Sequence, residues 1–301
     1  MKGSNQKGNN RRLNDEPRHW PLHIFLVLML IVTCYPILWV VTIAFSGGQS
    51  LAISDIPDNA TFAQHVRAIT PWPEHWSLSN FRSLFGDQPF ARWLLNSVIV
   101  ASATTVLGVF LACTAAYAFS RFRFPGRRVG LMSFLVSQMF PGTLMMIPLY
   151  IIVVQWLGLG STFTGLVLPY CTTAIPFCVW NMKGYFDTIP KELEESALID
   201  GASQATIFFR IVLPLAKPAV AVTALFSFMT GWNEFIIAAT FMNREDMYTA
   251  PVGLRFFVGG FSQQWGYFAA GSIIAAIPVM MLFMFLQKYL VSGLTAGAVK
   301  G

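Results

Sequence analysis

Of the 14 acidic residues in this 301-residue chain, only Glu234 falls well inside an apolar stretch, directly after Trp232 and Asn233 in FSFMTGWNEFIIAATF. A charged carboxylate at mid-membrane depth costs about 2.5–3.5 kcal/mol on insertion scales. A water-filled cavity, a hydrogen-bonded partner or protonation can offset that cost. An indole face, an amide and a carboxylate together could recognise a sugar, which offers CH faces and hydroxyl rims. Trp232, Asn233 and Glu234 are therefore candidates for a translocation path. A structural Glu bonded to a neighbouring helix explains Glu234 equally well, and a proton relay lacks a second intramembrane carboxylate. A second acidic group, Glu192, Glu194 and Glu195, sits in the polar segment YFDTIPKELEESALIDGAS between two apolar stretches.

Other chemistry is excluded by what the residues lack. The chain has no GxxxxGK[ST] phosphate loop, no HExxH and no GxSxG, so it offers no Walker site for ATP and no nucleophile–base set. His19, His23, His65 and His75 lie at or beyond the ends of the apolar stretches. Cys34, Cys113, Cys171 and Cys178 lie within them, with no CxxC pair and no neighbouring ligand, and read as thiols packed as small apolar groups. No catalytic, cofactor-binding or metal site is expected. The basic residues show no aromatic interleaving that would suit a nucleic acid.

The elements that must position these residues follow from composition. Hydrophobic residues make up 55% and charged residues 11% of the chain, against about a quarter charged in soluble domains. Lipid is then the main solvent, and backbone groups in lipid must bond within their own segment. The expected fold is an all-α integral membrane domain over 20–290. Its six crossings, each of about 20 residues, are expected near 21–45, 93–118, 129–154, 162–182, 219–241 and 267–289. A leader (1–19) precedes the domain and a tail (291–301) follows it. The first apolar run is too long for a signal-peptide core and reads as an uncleaved helix.

Lys and Arg set the orientation. The leader, SRFRFPGRR, the segment around 183–217, Lys288 and the tail carry 15 of the 20 basic residues, so both termini are expected on the cytoplasmic side. The long outer connection 46–92, with TPWPEHWSLSNF, suits an interfacial segment with short structure of its own. Asn96 and Ser97 suit helix-packing hydrogen bonds. Gln138 and Pro141, with Pro148, mark a kink, and Met139, Met145 and Met146 suit pliable packing.

The acidic segment reads as two short helices with a sharp turn. Asp187 and Thr188 are suited to capping and Pro190 to a first turn. Glu192, Glu194 and Glu195 favour the positive end of the helix dipole, and Gly201 supplies the left-handed residue that ends it. A second helix runs from Ala205 to Leu213 and stops at Pro214. An acidic helix suits an anionic leaflet poorly, so a protein partner is expected beneath it.

Glu195-Ser196-Ala197, three residues, Gly201, nine residues, then Ile211-Val-Leu213-Pro214 resembles the EAA loop of ABC importer permeases, with Ser196 replacing the middle alanine. NSVIVASATTVLGVFLACTAAYAFSRFRFPGR, NMKGYFDTIPKELEESALIDGA and GWNEFIIAATF resemble carbohydrate-uptake permeases. The ending VSGLTAGAVKG is similar to that of maltose/maltodextrin permeases. The resemblance covers about residues 20–301. It implies a cytoplasmic coupling helix between crossings four and five, with Glu194, Glu195, Ala197, Gly201, Ile211, Leu213 and Pro214 at an ATPase contact. Gly297, Lys300 and Gly301 would form a second ATPase contact.

The implied assembly holds a second, related permease, two ATPase subunits carrying ATP-Mg, and an extracytoplasmic sugar-binding protein. It sits in a bacterial cytoplasmic (inner) membrane. Permeases for polyamines or phosphodiesters share the loop and remain alternatives. An ion-driven secondary transporter would be expected to show repeats and several buried ionisable groups, which this chain lacks.

Overall fold

The computed structural model describes residues 20–51, 61–260 and 262–298. The leader 1–19, part of the outer connection, Lys300 and Gly301 lie outside them. The described residues form helices and no strands. In chain order they are α1 (Trp20–Phe45), α2 (Phe62–Ala68), α3 (Ser79–Gly86), α4 (Phe90–Arg121), α5 (Arg127–Met139) and α6 (Gly142–Trp156). There follow α7 (Phe163–Phe186), α8 (Glu192–Ile199), α9 (Gln204–Leu215), α10 (Lys217–Asn233), α11 (Ile236–Phe241), α12 (Ala250–Phe256) and α13 (Trp265–Ala298).

Four of these, α1, α4, α7 and α13, are long and apolar enough to cross a membrane, and up to six spans result if each bent pair counts as one. The bent pairs are α5–α6, which meet at 103°, and α9–α10, which meet at 83°. The single crossing expected over 129–154 is therefore two helices. Pro141 has no amide hydrogen and drives the residue before it out of the helical region. Phe140 accordingly sits at ψ 130°.

The crossing expected over 219–241 is also interrupted, at Glu234 and Phe235. At the far end, α13 continues to Ala298, so Gly297 lies on a helix. Asp187 and Thr188 do not cap α8, whose N-cap is Lys191.

The centre of the bundle is α4, α7 and α10, with α13 against α10 and α1 against α13. Close approach of α4 and α10 depends on small residues. A Cβ at Gly231 would lie 3.1 Å from the Ala101 Cα, and one at Gly108 would lie 3.3 Å from the Ser227 hydroxyl. Between membrane helices the attraction is packing rather than the hydrophobic effect, so such contacts set the geometry. α1 buries only Thr42, Ile43 and Ala44.

At the end of the bundle where α4 begins, side chains tie the loops down. Asn80 is buried and donates to the carbonyls of Ala44 (3.1 Å) and Ile43 (3.3 Å), closing the C-terminus of α1. Asn96 donates to the carbonyls of Asp246 (3.0 Å) and Tyr248 (2.8 Å), and the Ser97 hydroxyl accepts the Ala250 amide (2.8 Å). The two residues hold the connection before α12 rather than pairing crossing helices. Beside them Asp246 bonds Arg244 (2.7 Å) and Arg92 (3.4 Å), and Arg244 holds its carboxyl below the ordinary carboxylate range.

Candidate functional site

At the opposite end, α8 and α9 close beneath the bundle. A buried apolar cluster receives them: Tyr117, Met182 and Phe186 from α4 and α7 pack on Ile207, Phe208 and Val212 of α9. Ile211 and Leu213 are half-buried against that cluster. Both residues therefore fasten α9 to its own bundle, while Pro214 is exposed.

α8 is fastened by charge. Glu194 is 8% exposed. Its carboxylate accepts from Arg121 Nε and from the Tyr117 hydroxyl (2.9 Å), and Arg121 also donates to the Ile189 carbonyl (3.0 Å). Alongside, Asp187 accepts from the Ser120 hydroxyl and pairs with Lys183, both at 2.6 Å. A fork-shaped guanidinium that reaches a carboxylate and a carbonyl together fixes orientation as well as distance. Glu194, expected among residues facing a partner, instead points into the chain.

The other face of α8 has no such partners. Glu195 is exposed, Leu193 and Leu198 are close to half exposed, and Ile199 is 87% exposed. Ala197 is half-buried and packs on the cluster beneath. The helix ends in a turn in which the Gly201 amide bonds the Leu198 carbonyl (3.0 Å) and the Ala202 amide bonds the Ala197 carbonyl (2.9 Å). This double closure needs a left-handed residue, and Gly201 sits at φ +81° with open space where a Cβ would stand. None of Leu193, Leu198 and Ile199 was named from sequence as a contact candidate. Their signal was three large apolar residues in a segment too polar to cross a membrane.

Trp232, Asn233 and Glu234 are not brought to one surface. Trp232 is buried between α4 and α13 and stacks on Phe228, with centroids 5.4 Å apart, and Asn233 is exposed. Glu234 sits in the α10–α11 break, where its two oxygens accept the amides of Ile237 (2.9 Å) and Ala238 (3.1 Å). These bonds start α11 and explain how the chain tolerates a carboxylate at this depth. The buried Tyr170 hydroxyl lies within electrostatic reach of Glu234 but outside hydrogen-bonding geometry.

Glu234 lines a cavity of about 630 Å³ at the α5–α6 elbow, together with Ser137, Gln138, Thr143, Thr172 and Thr173. Gln138 donates to the Thr173 carbonyl at 3.1 Å, joining α5 to α7. Sequence reasoning treated Gln138 as a kink marker and passed over the hydroxyls. Thr and Ser are common in membrane helices, and only the fold shows four of them on one wall.

Residues 104–296 match the family model described as the binding-protein-dependent transport system inner membrane component. The chain belongs to that family. It is thus a multi-pass permease of the inner membrane. The maltodextrin transport system permease protein MdxG of Bacillus subtilis is 38% identical to this permease, over 93% of this chain and 95% of that one. The galactooligosaccharides transport system permease protein GanQ, also of Bacillus subtilis, is 38% identical, over 93% and 94%. The maltose/maltodextrin transport system permease protein MalG of Vibrio vulnificus is 37% identical, over 94% and 96%. A solved bacterial ABC transporter involved in alginate import shares the permease fold, with a TM-score of 0.74 at 22% identity over 90% of this chain and 95% of that one.

Proposed function

We propose that this chain is one of two related permease subunits in an ATP-driven importer of maltodextrin or a related oligosaccharide, and that α8 is its coupling helix. The observation that carries the reading is the division of α8. One buried carboxylate locks the helix to α4, while Glu195, Leu193, Leu198 and Ile199 remain unpartnered beyond the bundle. An acidic and apolar face suits a basic, apolar cleft on an ATPase subunit. The relatives named for maltodextrin, galactooligosaccharides and maltose supply the substrate class.

In this reading the chain crosses six times, with α5–α6 and α9–α10 each contributing to one span and both termini in the cytoplasm. The basic residues Arg123, Arg127, Arg128 and Lys183 share the end that holds α8, as the positive-inside tendency requires. Closure of two ATP-bearing subunits would move α8 and α9 together, because α8 is clamped and α9 is packed. The driving force must be a difference in contacts between two states. This subunit contributes no ATP chemistry of its own. An external binding protein would deliver the sugar.

The test is purification of the tagged chain from its native membrane in mild detergent, with identification of what accompanies it. An ATPase and a second permease should be recovered, and the ATPase should be lost with Gly201→Asp. A chain that emerges alone, or only with copies of itself, would refute the assembly.

A further inference from the structure

Four of the six polar side chains in the wall of the cavity at the α5–α6 elbow, Ser137, Thr172, Thr173 and Glu234, present acceptors. Ser137 Oγ donates to the Phe134 carbonyl at 2.8 Å. Thr172 and Thr173 Oγ1 donate to the Pro169 carbonyl at 2.7 and 3.2 Å. A hydroxyl has one proton, so each of these oxygens has only acceptor capacity left. Glu234 is acceptor-only, and the two amides it binds occupy roughly half of its four lone-pair sites. These four groups therefore call for donors, while Gln138 and Thr143 in the same wall can also donate. The volume of about 630 Å³ lies within the roughly 300–1,000 Å³ of small-molecule sites.

We propose that this cavity is a saccharide subsite on this subunit, in which sugar O–H groups donate to Glu234, Ser137, Thr172 and Thr173. It rests on the importer reading above and names where this chain touches the cargo. The lining also includes Phe140, an apolar ring suited to a sugar's CH face. A phosphodiester brings acceptors and a negative charge, both wrong for this wall. A polycation would be served by several carboxylates, but Glu234 is the one acid in the lining and its charge is shared with two amides. A neutral, donor-rich polyol fits both the polarity and the charge.

The test uses the complete transporter reconstituted in vesicles with its binding protein. Uptake of labelled maltotriose, a galacto-oligosaccharide and spermidine is measured together with ATP hydrolysis. Thr172→Val and Thr173→Val keep side-chain shape and remove one acceptor each. At saturating binding protein each should slow saccharide uptake about 3- to 10-fold, the worth of one neutral hydrogen bond. Glu234→Gln should slow it further. The valine variants keep the test decisive if Glu234→Gln fails to assemble.

Unchanged saccharide uptake in both valine variants, beside a wild type that transports saccharide, would overturn the subsite and leave the importer reading standing. A wild type that transports spermidine and neither saccharide would overturn the substrate reading and the subsite together.

Discussion

Glu194→Gln tests whether one buried ion pair holds α8 in place. The side chains of Arg121 and Glu194 are only 7% and 10% exposed. Breaking a buried pair by removing one charge costs about 3–5 kcal/mol, against about 0–1 kcal/mol for an exposed pair. Glutamine keeps the shape and a partner for Tyr117, so the lower end applies and the expected loss is about 3 kcal/mol. An eight-residue helix has little stability of its own, so that loss should appear as local opening of α8 rather than global unfolding. At 1.4 kcal/mol per tenfold, amides over 192–201 should exchange with deuterium about a hundredfold faster in the purified complex.

Glu192, exposed two positions earlier, supplies the control, since Glu192→Gln should leave exchange unchanged. Transport should fall in Glu194→Gln while the ATPase subunits still hydrolyse ATP, because the helix they push is no longer fixed to α4. Replacing both partners with Met should recover much of the lost protection, since a well-packed apolar pair often substitutes for a buried ion pair. Equal exchange rates in the Glu194→Gln and Glu192→Gln proteins would refute the reasoning.

Gly201→Asp places a side chain into open space at φ +81° and should cost about 1 kcal/mol. Membrane insertion and thermal stability should stay near wild type while uptake is abolished. Gly253→Ala would put a Cβ 2.0 Å from the Trp93 ring, so it should lower the melting temperature by overpacking worth about 1–3 kcal/mol. Trp232→Ala should destabilise by about 3–5 kcal/mol and leave the preference among sugars unaltered, since the indole packs on Phe228 and lines no part of the cavity. Asp246 is held below the ordinary carboxylate range by Arg244. Its ion pairs are therefore present above about pH 4 and lost as pH falls through its lowered value, and exchange of the 244–249 amides should rise only in acid.

The apolar stretches, the basic end and the Gly201 turn were legible because each depends on local properties: run length, charge count and one left-handed residue. What failed was anything decided by a neighbour distant in sequence. Glu194 and Glu195 are adjacent acids with the same propensities, and only the position of Arg121, 73 residues away, turns one inward. Trp232 and Glu234 are two residues apart, yet Trp232 packs against α4 and α13 while Glu234, at the break that ends α10, lines the cavity with α5, α6 and α7. Asn96 and Ser97 looked like helix-packing groups because their partners, about 150 residues on, are loop carbonyls and an amide that no pattern marks.

The two helix breaks acquire a meaning that neither has alone. Pro141 ends α5 and Glu234 ends α10, and both ends open on the same cavity. α10 begins at the 83° elbow with α9 and runs 17 residues, about 25 Å at helical rise, to that Glu234 break. One helix thus joins α9 to the cavity wall. Its contact with α4 combines small groups, Gly231, Gly108 and Ser227, which let the two backbones lie close, with Phe228 and Trp232 packed on Ala101.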